Sequence, residues 1–223
     1  MANNKFSMEE AVKFGWETFM KNIGFLLLVT IVSVIPNLMD TAINMLVKEQ
    51  IITLSQWADI IIRILFLFVE GILAMGSMKI ALKFCDGQAP EFNDLFSCFH
   101  LFLKYFLGSI LYCLIVIGGL ILLIIPGLIW AIKYHYFLYL IIDKELGPIE
   151  AIKRSGQITQ GVKWDLFLFG LLLVGLVILG VLACFVGILV AIPVIFIAGA
   201  YVYRKLEPIV QQPSSIYQQM PMA

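Results

Sequence analysis

Glu70 stands about twelve residues into a 25-residue apolar run, Ala58 to Leu82. An ionised carboxylate at that depth of a bilayer costs several kcal/mol, so it has to be paired, protonated or turned into a bundle interior. Arg63 lies seven residues earlier and Ser77 seven later, two helical turns away on nearly the same face, and Asp59 is one turn before Arg63 and within its reach. Lys133, on a later apolar run, is the natural cross-helix partner for Glu70, and His135 with Tyr134, Tyr136 and Tyr139 adds polar character to the same segment. Two kinds of chemistry fit Glu70, Arg63, Lys133 and His135. One is a proton- or ion-linked path, because intramembrane carboxylates and histidines recur in relays. The other is a buried ion pair that fixes helix register.

The elements that must position these groups follow from composition. Of 223 residues, 61% are hydrophobic and 13% charged, and mean hydropathy is +0.99. A soluble domain is about 45–50% apolar and about 25% charged, so one buried core cannot absorb this excess. Fifteen Lys and Arg balance fifteen Asp and Glu, which leaves no basic surplus for nucleic acid. The chain reads as an all-α polytopic membrane protein.

A bilayer core of about 30 Å takes about 20 apolar residues. Ile23 to Leu38 opens the first span and Ala58 to Leu82 is the second. Phe102 to Ile142 is about twice the spanning length and folds back near Gly118 to Gly127, around Pro126-Gly127. Leu166 to Tyr203 is again double, with a break near Cys184 to Gly187 or at Pro193. That makes six transmembrane helices. Twelve basic residues, from Lys5 to Lys205, fall on the side of the N-terminus and only Lys48 in an outer loop, so both termini are expected in the cytoplasm. Residues 1–21 carry three glutamates and no apolar core, unlike a cleavable signal.

Three shorter segments are amphipathic. Ser7 to Asn22 opens with Ser7 and Glu10 in capping-box spacing and repeats Met8, Ala11, Val12, Trp16 and Phe19 at helical intervals. Gly147 to Lys163 has Pro148 suited to a first turn and Gly161 to a stop. Pro90 to Lys104, richer in Phe, holds the corresponding middle place. Glu10-Ala11-Val12-Lys13 matches Glu150-Ala151-Ile152-Lys153, so the chain reads as an interfacial helix plus hairpin repeated three times, over 7–84, 90–142 and 147–205. Lys13, Trp16, Lys21, Lys153, Arg154, Lys163 and Trp164 serve as membrane-interface anchors. Asp143, Asp165 and Lys163 are expected to cap and anchor where span meets water. Residues 1–206 form one membrane domain, and 207–223, with three Pro and four Gln, a flexible cytoplasmic tail.

The four cysteines, Cys85, Cys98, Cys113 and Cys184, have no paired spacing and only two histidines for company, so they are expected as reduced structural thiols with no metal site. HExxH, GxSxG with a histidine partner and GxxxxGK[ST] are missing, and no span centre holds an Asp pair. Gly170, Gly175 and Gly180 recur every five residues and form no common seam, whereas Gly180, Cys184 and Gly187 to Ala191 suit close helix contact.

Gly87-Gln88-Ala89-Pro90-Glu91-Phe92-Asn93-Asp94-Leu95-Phe96, Pro126-Gly127-Leu128-Ile129 through Tyr134, Leu140-Ile141-Ile142-Asp143, Glu150-Ala151-Ile152-Lys153-Arg154-Ser155 and Gly161-Val162-Lys163-Trp164 carry a resemblance. Together they resemble a group of bacterial six-span proteins that includes the YciC-like proteins and the membrane domain attached to some glycerophosphodiester phosphodiesterases. The resemblance covers most of the chain after residue 85. It implies a six-helix domain of the bacterial inner membrane, and its motifs are a turn, an interfacial helix and a helix stop. In the phosphodiesterase relatives the chemistry belongs to a separate soluble domain.

The expectation is a non-enzymatic membrane module, without cofactor, that binds membrane lipids, a membrane protein partner or a second copy of itself. It would support membrane assembly or envelope homeostasis. A small transporter or channel-like carrier built around Glu70 is the alternative.

Overall fold

The computed structural model describes residues 6–53, 55–182 and 186–211, and those residues are all-α. Six helical segments among them are long and apolar enough to cross a membrane, the build of a multi-span membrane protein. In chain order the helices are α1 (Met8–Lys21), α2 (Ile23–Lys48), α3 (Gln56–Cys85), α4 (Phe102–Leu122), α5 (Ile124–Tyr134), α6 (Phe137–Lys144), α7 (Pro148–Ile158), α8 (Lys163–Leu182) and α9 (Val186–Gln211). α5 and α6 together make the fourth spanning segment. The outward faces are apolar: Trp57, Ile61, Ile64, Ile121, Ile124, Leu179 and Leu182 are exposed. A surface of this kind suits hydrocarbon rather than water.

α9 is the axis of the packing. Ala191, Val194, Ile197, Ala198, Ala200, Val202, Tyr203 and Leu206 along it are buried, and it meets α1, α2, α3, α7 and α8. α1 opens as its sequence prescribes, with the Ser7 hydroxyl accepting the Glu10 N–H at 3.2 Å. Its buried face, however, is Ala11, Gly15, Thr18 and Phe19. Trp16 faces outward, so the helix docks on α9 through small residues and leaves its indole for the surroundings. Gly15 makes that approach possible: a Cβ there would lie 2.7 Å from the Val194 carbonyl oxygen. α2 and α3 are joined across their faces by Ser33 and Ser77, whose hydroxyls lie 3.3 Å apart.

The hairpin between α4 and α5 turns at Leu123, an extended residue (φ −166°, ψ 151°) inside the expected window. Gly119 and Gly127 touch backbone to backbone there, since a Cβ on Gly119 would lie 2.8 Å from the Gly127 Cα. α8 runs to Leu182 and α9 from Val186, so Pro193, the later of the two expected break points, lies within α9. Gly180 packs against Gly187, as its spacing suggests. Cys184 lies outside the described residues. Cys85, Cys98 and Cys113 are free thiols.

Two expectations need correcting. The middle amphipathic segment is not an α-helix but two short 3₁₀ turns, Phe92–Leu95 and Phe99–Leu101. Asp94 holds the first of them, accepting the Glu91 N–H at 2.7 Å and the Lys83 ammonium at 2.7 and 2.8 Å. That ties the segment flat along α3. Secondly, the helix expected to stop near Leu206 continues to Gln211, and Glu207 is buried rather than part of a tail. Residues 212–223 lie outside the described residues.

Candidate ligand cavity and polar hub

The fourth spanning segment is broken. α5 ends at Tyr134 and α6 begins at Phe137, so His135 and Tyr136 interrupt the backbone ladder inside a span. Freed backbone groups at such depth must find other partners. Here α7 supplies them. Ser155 donates to the Lys133 carbonyl at 3.2 Å and accepts the Tyr136 N–H at 3.1 Å. Thr159 donates to the same carbonyl at 2.9 Å. Both side chains are fully buried. α7 is thus amphipathic in sequence, as expected, but one of its faces is a set of hydrogen bonds that holds a kink open. Replacing Ser155 by Ala strands the Tyr136 N–H, and about 1–3 kcal/mol of stability is expected to go with it. Equilibrium unfolding in mixed detergent micelles measures this, and a loss below about 0.5 kcal/mol would show that the break is held by packing alone.

On the other side of the break lies a cavity of about 670 Å³. α4 contributes Ser109 and Tyr112 to its wall, and α5, α6 and the break contribute Ala131, Ile132, His135 and Tyr139. α8 adds Leu166, Phe169, Gly170, Leu173 and Val174, and α9 adds Phe196 and Gly199. The walls are apolar, with the His135 imidazole and a few hydroxyls as polar points. Tyr112 donates to the Ala131 carbonyl at 3.1 Å, which leaves His135 as the side chain best placed to meet a polar group of a ligand. Volume and lining match small-molecule sites, which run about 300–1,000 Å³ and are mostly apolar.

At the end of the bundle that carries α7, charged groups from three helices and a loop converge. Arg204 on α9 donates through Nη2 to Asp86, just past α3, at 2.7 Å, and lies 2.8 Å from Asp143 at the end of α6. Tyr203 donates to Asp143 at 2.8 Å. Lys144 lies 3.5 Å from Asp143 and 4.0 Å from Glu207, and Arg154 on α7 lies 3.9 Å from Glu207. The Arg204 Nε is buried with no hydrogen-bond partner among the described residues. Asp143 is therefore more than an interfacial cap: it is the shared acceptor that joins the ends of α6 and α9.

The residues singled out in the sequence fall in separate places. Arg63 is paired with Asp59 at 2.8 Å, as the one-turn spacing implies, and also donates to Asn44 on α2. Glu70 is half-buried and makes no ion pair with Arg63 or Lys133. Its neighbours Phe68 and Gly71 pack on Phe99 and Phe102, beside the 3₁₀ connection and away from α5. Lys133 points toward α7, with its ammonium 4.9 Å from the Tyr134 ring centre, so Glu70 and Lys133 are not brought together. His135 lines the cavity. Lys13, Trp16, Lys21, Lys153, Lys163 and Trp164 are exposed, and Arg154 is drawn instead to Glu207. Among the described residues no group of three His, Cys, Asp or Glu could hold a metal ion.

Sequence reasoning missed the hub and the two α7 hydroxyls. Ser155 and Thr159 are four residues apart on the apolar face of an amphipathic helix, and that misplacement was the available signal. For Arg204 and Asp143 there was none, since 60 residues separate Tyr203 from its acceptor.

No solved structure matches the chain. Uncharacterized proteins of Mycobacterium bovis and Mycobacterium tuberculosis are similar to it, at 32% and 31–32% identity over 142 residues. That is 64% of this chain and 42% of theirs, so the chain spans about two fifths of the curated relatives it matches. Residues 109–209, which run from the cavity-lining Ser109 through the hub residues of α6, α7 and α9 but not Asp86, match the family described as "Protein of unknown function (DUF975)".

Proposed function

We propose that this protein is a non-enzymatic module of the bacterial cytoplasmic membrane that binds a lipid, with both termini in the cytoplasm. The observation that carries the reading is the apolar cavity of about 670 Å³ at the α5–α6 break, inside a spanning segment and bounded by α4, α8 and α9. An apolar site at that depth is in contact with hydrocarbon, and the species present there at highest concentration is lipid. The broken helix supports the same reading, because irregular backbone within a membrane is tolerated where it is buried in protein or borders a cavity. A protein partner or a second copy would have to be recruited through the outward apolar faces instead. The carrier reading built on Glu70 gains no comparable support, since its proposed partners are elsewhere.

Gly170 provides a direct test. It lines the cavity, and a Cβ there would meet nothing within 4 Å. Gly170→Leu has room for its Cβ and adds side-chain volume on the cavity wall, and it raises helix propensity in α8 by up to about 1 kcal/mol. The expected result is an unchanged or slightly raised melting temperature with at least a tenfold loss, on the order of 1.4 kcal/mol, in labelling by a photoactivatable lipid. Equal labelling of a well-folded Gly170→Leu protein would rule the cavity out as the site.

A further inference from the structure

Next to the cavity is a second space of a different kind. A groove of about 460 Å³ opens between the end of α5, α7 and the start of α8, and Lys133, Lys153 and Lys163 line it together with the Gln157 side chain. None of the three lysines has an ion-pair partner among the described residues. Of the acids nearby, Glu207 is shared by Lys144 and Arg154, and neither Glu150 nor Asp165 forms an ion pair with the three lysines. Glu150 lines the adjoining pocket on the other side of Lys153. Three ammonium groups from three separate chain segments, gathered without a counter-charge, repel one another and favour an anion.

Lys133 is also held in place. Its ammonium lies over the Tyr134 ring, and its stem lies on Gly156, where a Cβ would come 3.0 Å from the Lys133 Cε. A glycine in the middle of α7 costs about 1 kcal/mol against alanine, and the close approach of Lys133 accounts for it.

The groove and the cavity share one face of α8. Lys163 belongs to the groove, and Leu166, Gly170, Leu173 and Val174 belong to the cavity. Steps of three and four place these residues in one stripe. From Lys163 to Val174 the stripe rises about 16 Å at 1.5 Å per residue, from charged to wholly apolar. An amphiphile laid along it would put an anionic head at the lysines and a chain in the cavity. We infer that the ligand is a phospholipid with an anionic headgroup, its phosphate held by Lys133, Lys153 and Lys163 and one acyl chain lodged against α8. This rests on the lipid-binding reading above and adds the chemistry of the head.

The test uses the full chain in nanodiscs of phosphatidylcholine doped with phosphatidylglycerol, with bound lipid counted by native mass spectrometry after gentle release. Wild type is expected to retain phosphatidylglycerol preferentially. Each lysine changed to Gln should reduce that preference about fivefold, the effect of roughly one surface lysine on anionic lipid. The triple variant Lys133→Gln, Lys153→Gln, Lys163→Gln should retain both lipids alike. Should the triple variant fail to fold, the pair Lys153→Gln, Lys163→Gln, both exposed, carries the test. Lys205→Gln, on an exposed residue whose ammonium lies 5.3 Å from the Tyr201 ring centre, is the charge control and should change nothing. Preference that survives the lysine substitutions overturns the inference. So does competition by millimolar inorganic phosphate equal to that of the lipid, which would make the groove a site for free phosphate. Gly170→Leu separates the two levels: it should abolish retention of both lipids, whereas the lysine variants should abolish only the choice between them.

Discussion

Arg204→Met should destabilise the protein by about 3 kcal/mol, the lower end of what removing one partner from a buried ion pair costs. Arg204 closes two contacts, at 2.7 Å to Asp86 and 2.8 Å to Asp143, and they are not equivalent. The Asp86 carboxylate is 35% exposed, so water can take over when the guanidinium leaves, and that half of the bridge is worth no more than about 1 kcal/mol. Asp143 is 11% exposed. Without Arg204 it keeps the Tyr203 hydroxyl at 2.8 Å and a Lys144 ammonium at 3.5 Å, too little for a carboxylate withdrawn from water. Most of the loss should therefore return in Arg204→Met, Asp143→Asn, which removes the stranded charge. Unfolding titrations of the two single variants and the double variant in mixed micelles measure the coupling. A single-variant loss under 1 kcal/mol would mean that the hub is solvated and contributes little to holding α3, α6 and α9 together.

The hub also marks where the sequence stops being readable. Spans follow from apolar runs of fixed length, and local signals at helix ends were direct: Ser7 caps α1, and Pro148 opens α7 in its first turn. The turn at Leu123 follows from the same arithmetic, because a run of twice the spanning length must fold back. Asp143 and Arg204 each look like an ordinary interfacial charge, and only the packing of α6 against α9 makes them partners. Glu70 and Lys133 illustrate the converse. Depth in a span suggests a partner by elimination, but rotation of each helix about its axis decides contact, and apolar runs exposed on most sides carry little information on rotation. The cavity was out of reach for the same reason, since it is a property of six helices at once. The headgroup lysines were legible as basic residues near water, though not as a group.

Rotation and close approach come together at Gly76, where the largest effect of a one-carbon change is expected. In the folded protein a Cβ on Gly76 would fall inside the backbone of Leu95, at its carbonyl and Cα. Leu95 cannot retreat. It is fully buried, and its neighbour Asp94 is fixed by Lys83 and by the Glu91 N–H. Gly76→Ala must therefore either push the 3₁₀ connection off α3, breaking those contacts, or bend α3 itself. Overpacking of this kind costs about 3 kcal/mol or more when the clash is with backbone. Alanine's better helix propensity returns about 1 kcal/mol of that. Gly175→Ala on α8 is the matched comparison, because a Cβ there meets nothing within 4 Å and only the propensity gain remains. The two substitutions are chemically identical and should move stability in opposite directions, down by at least about 2 kcal/mol at 76 and up by as much as about 1 kcal/mol at 175. Equal stabilities in the same micelle titration would show that the segment from Phe92 to Leu101 does not lie against α3. The reason given for its failure to form the middle interfacial helix would then be lost, because contact along α3 is what replaces helical hydrogen bonding there.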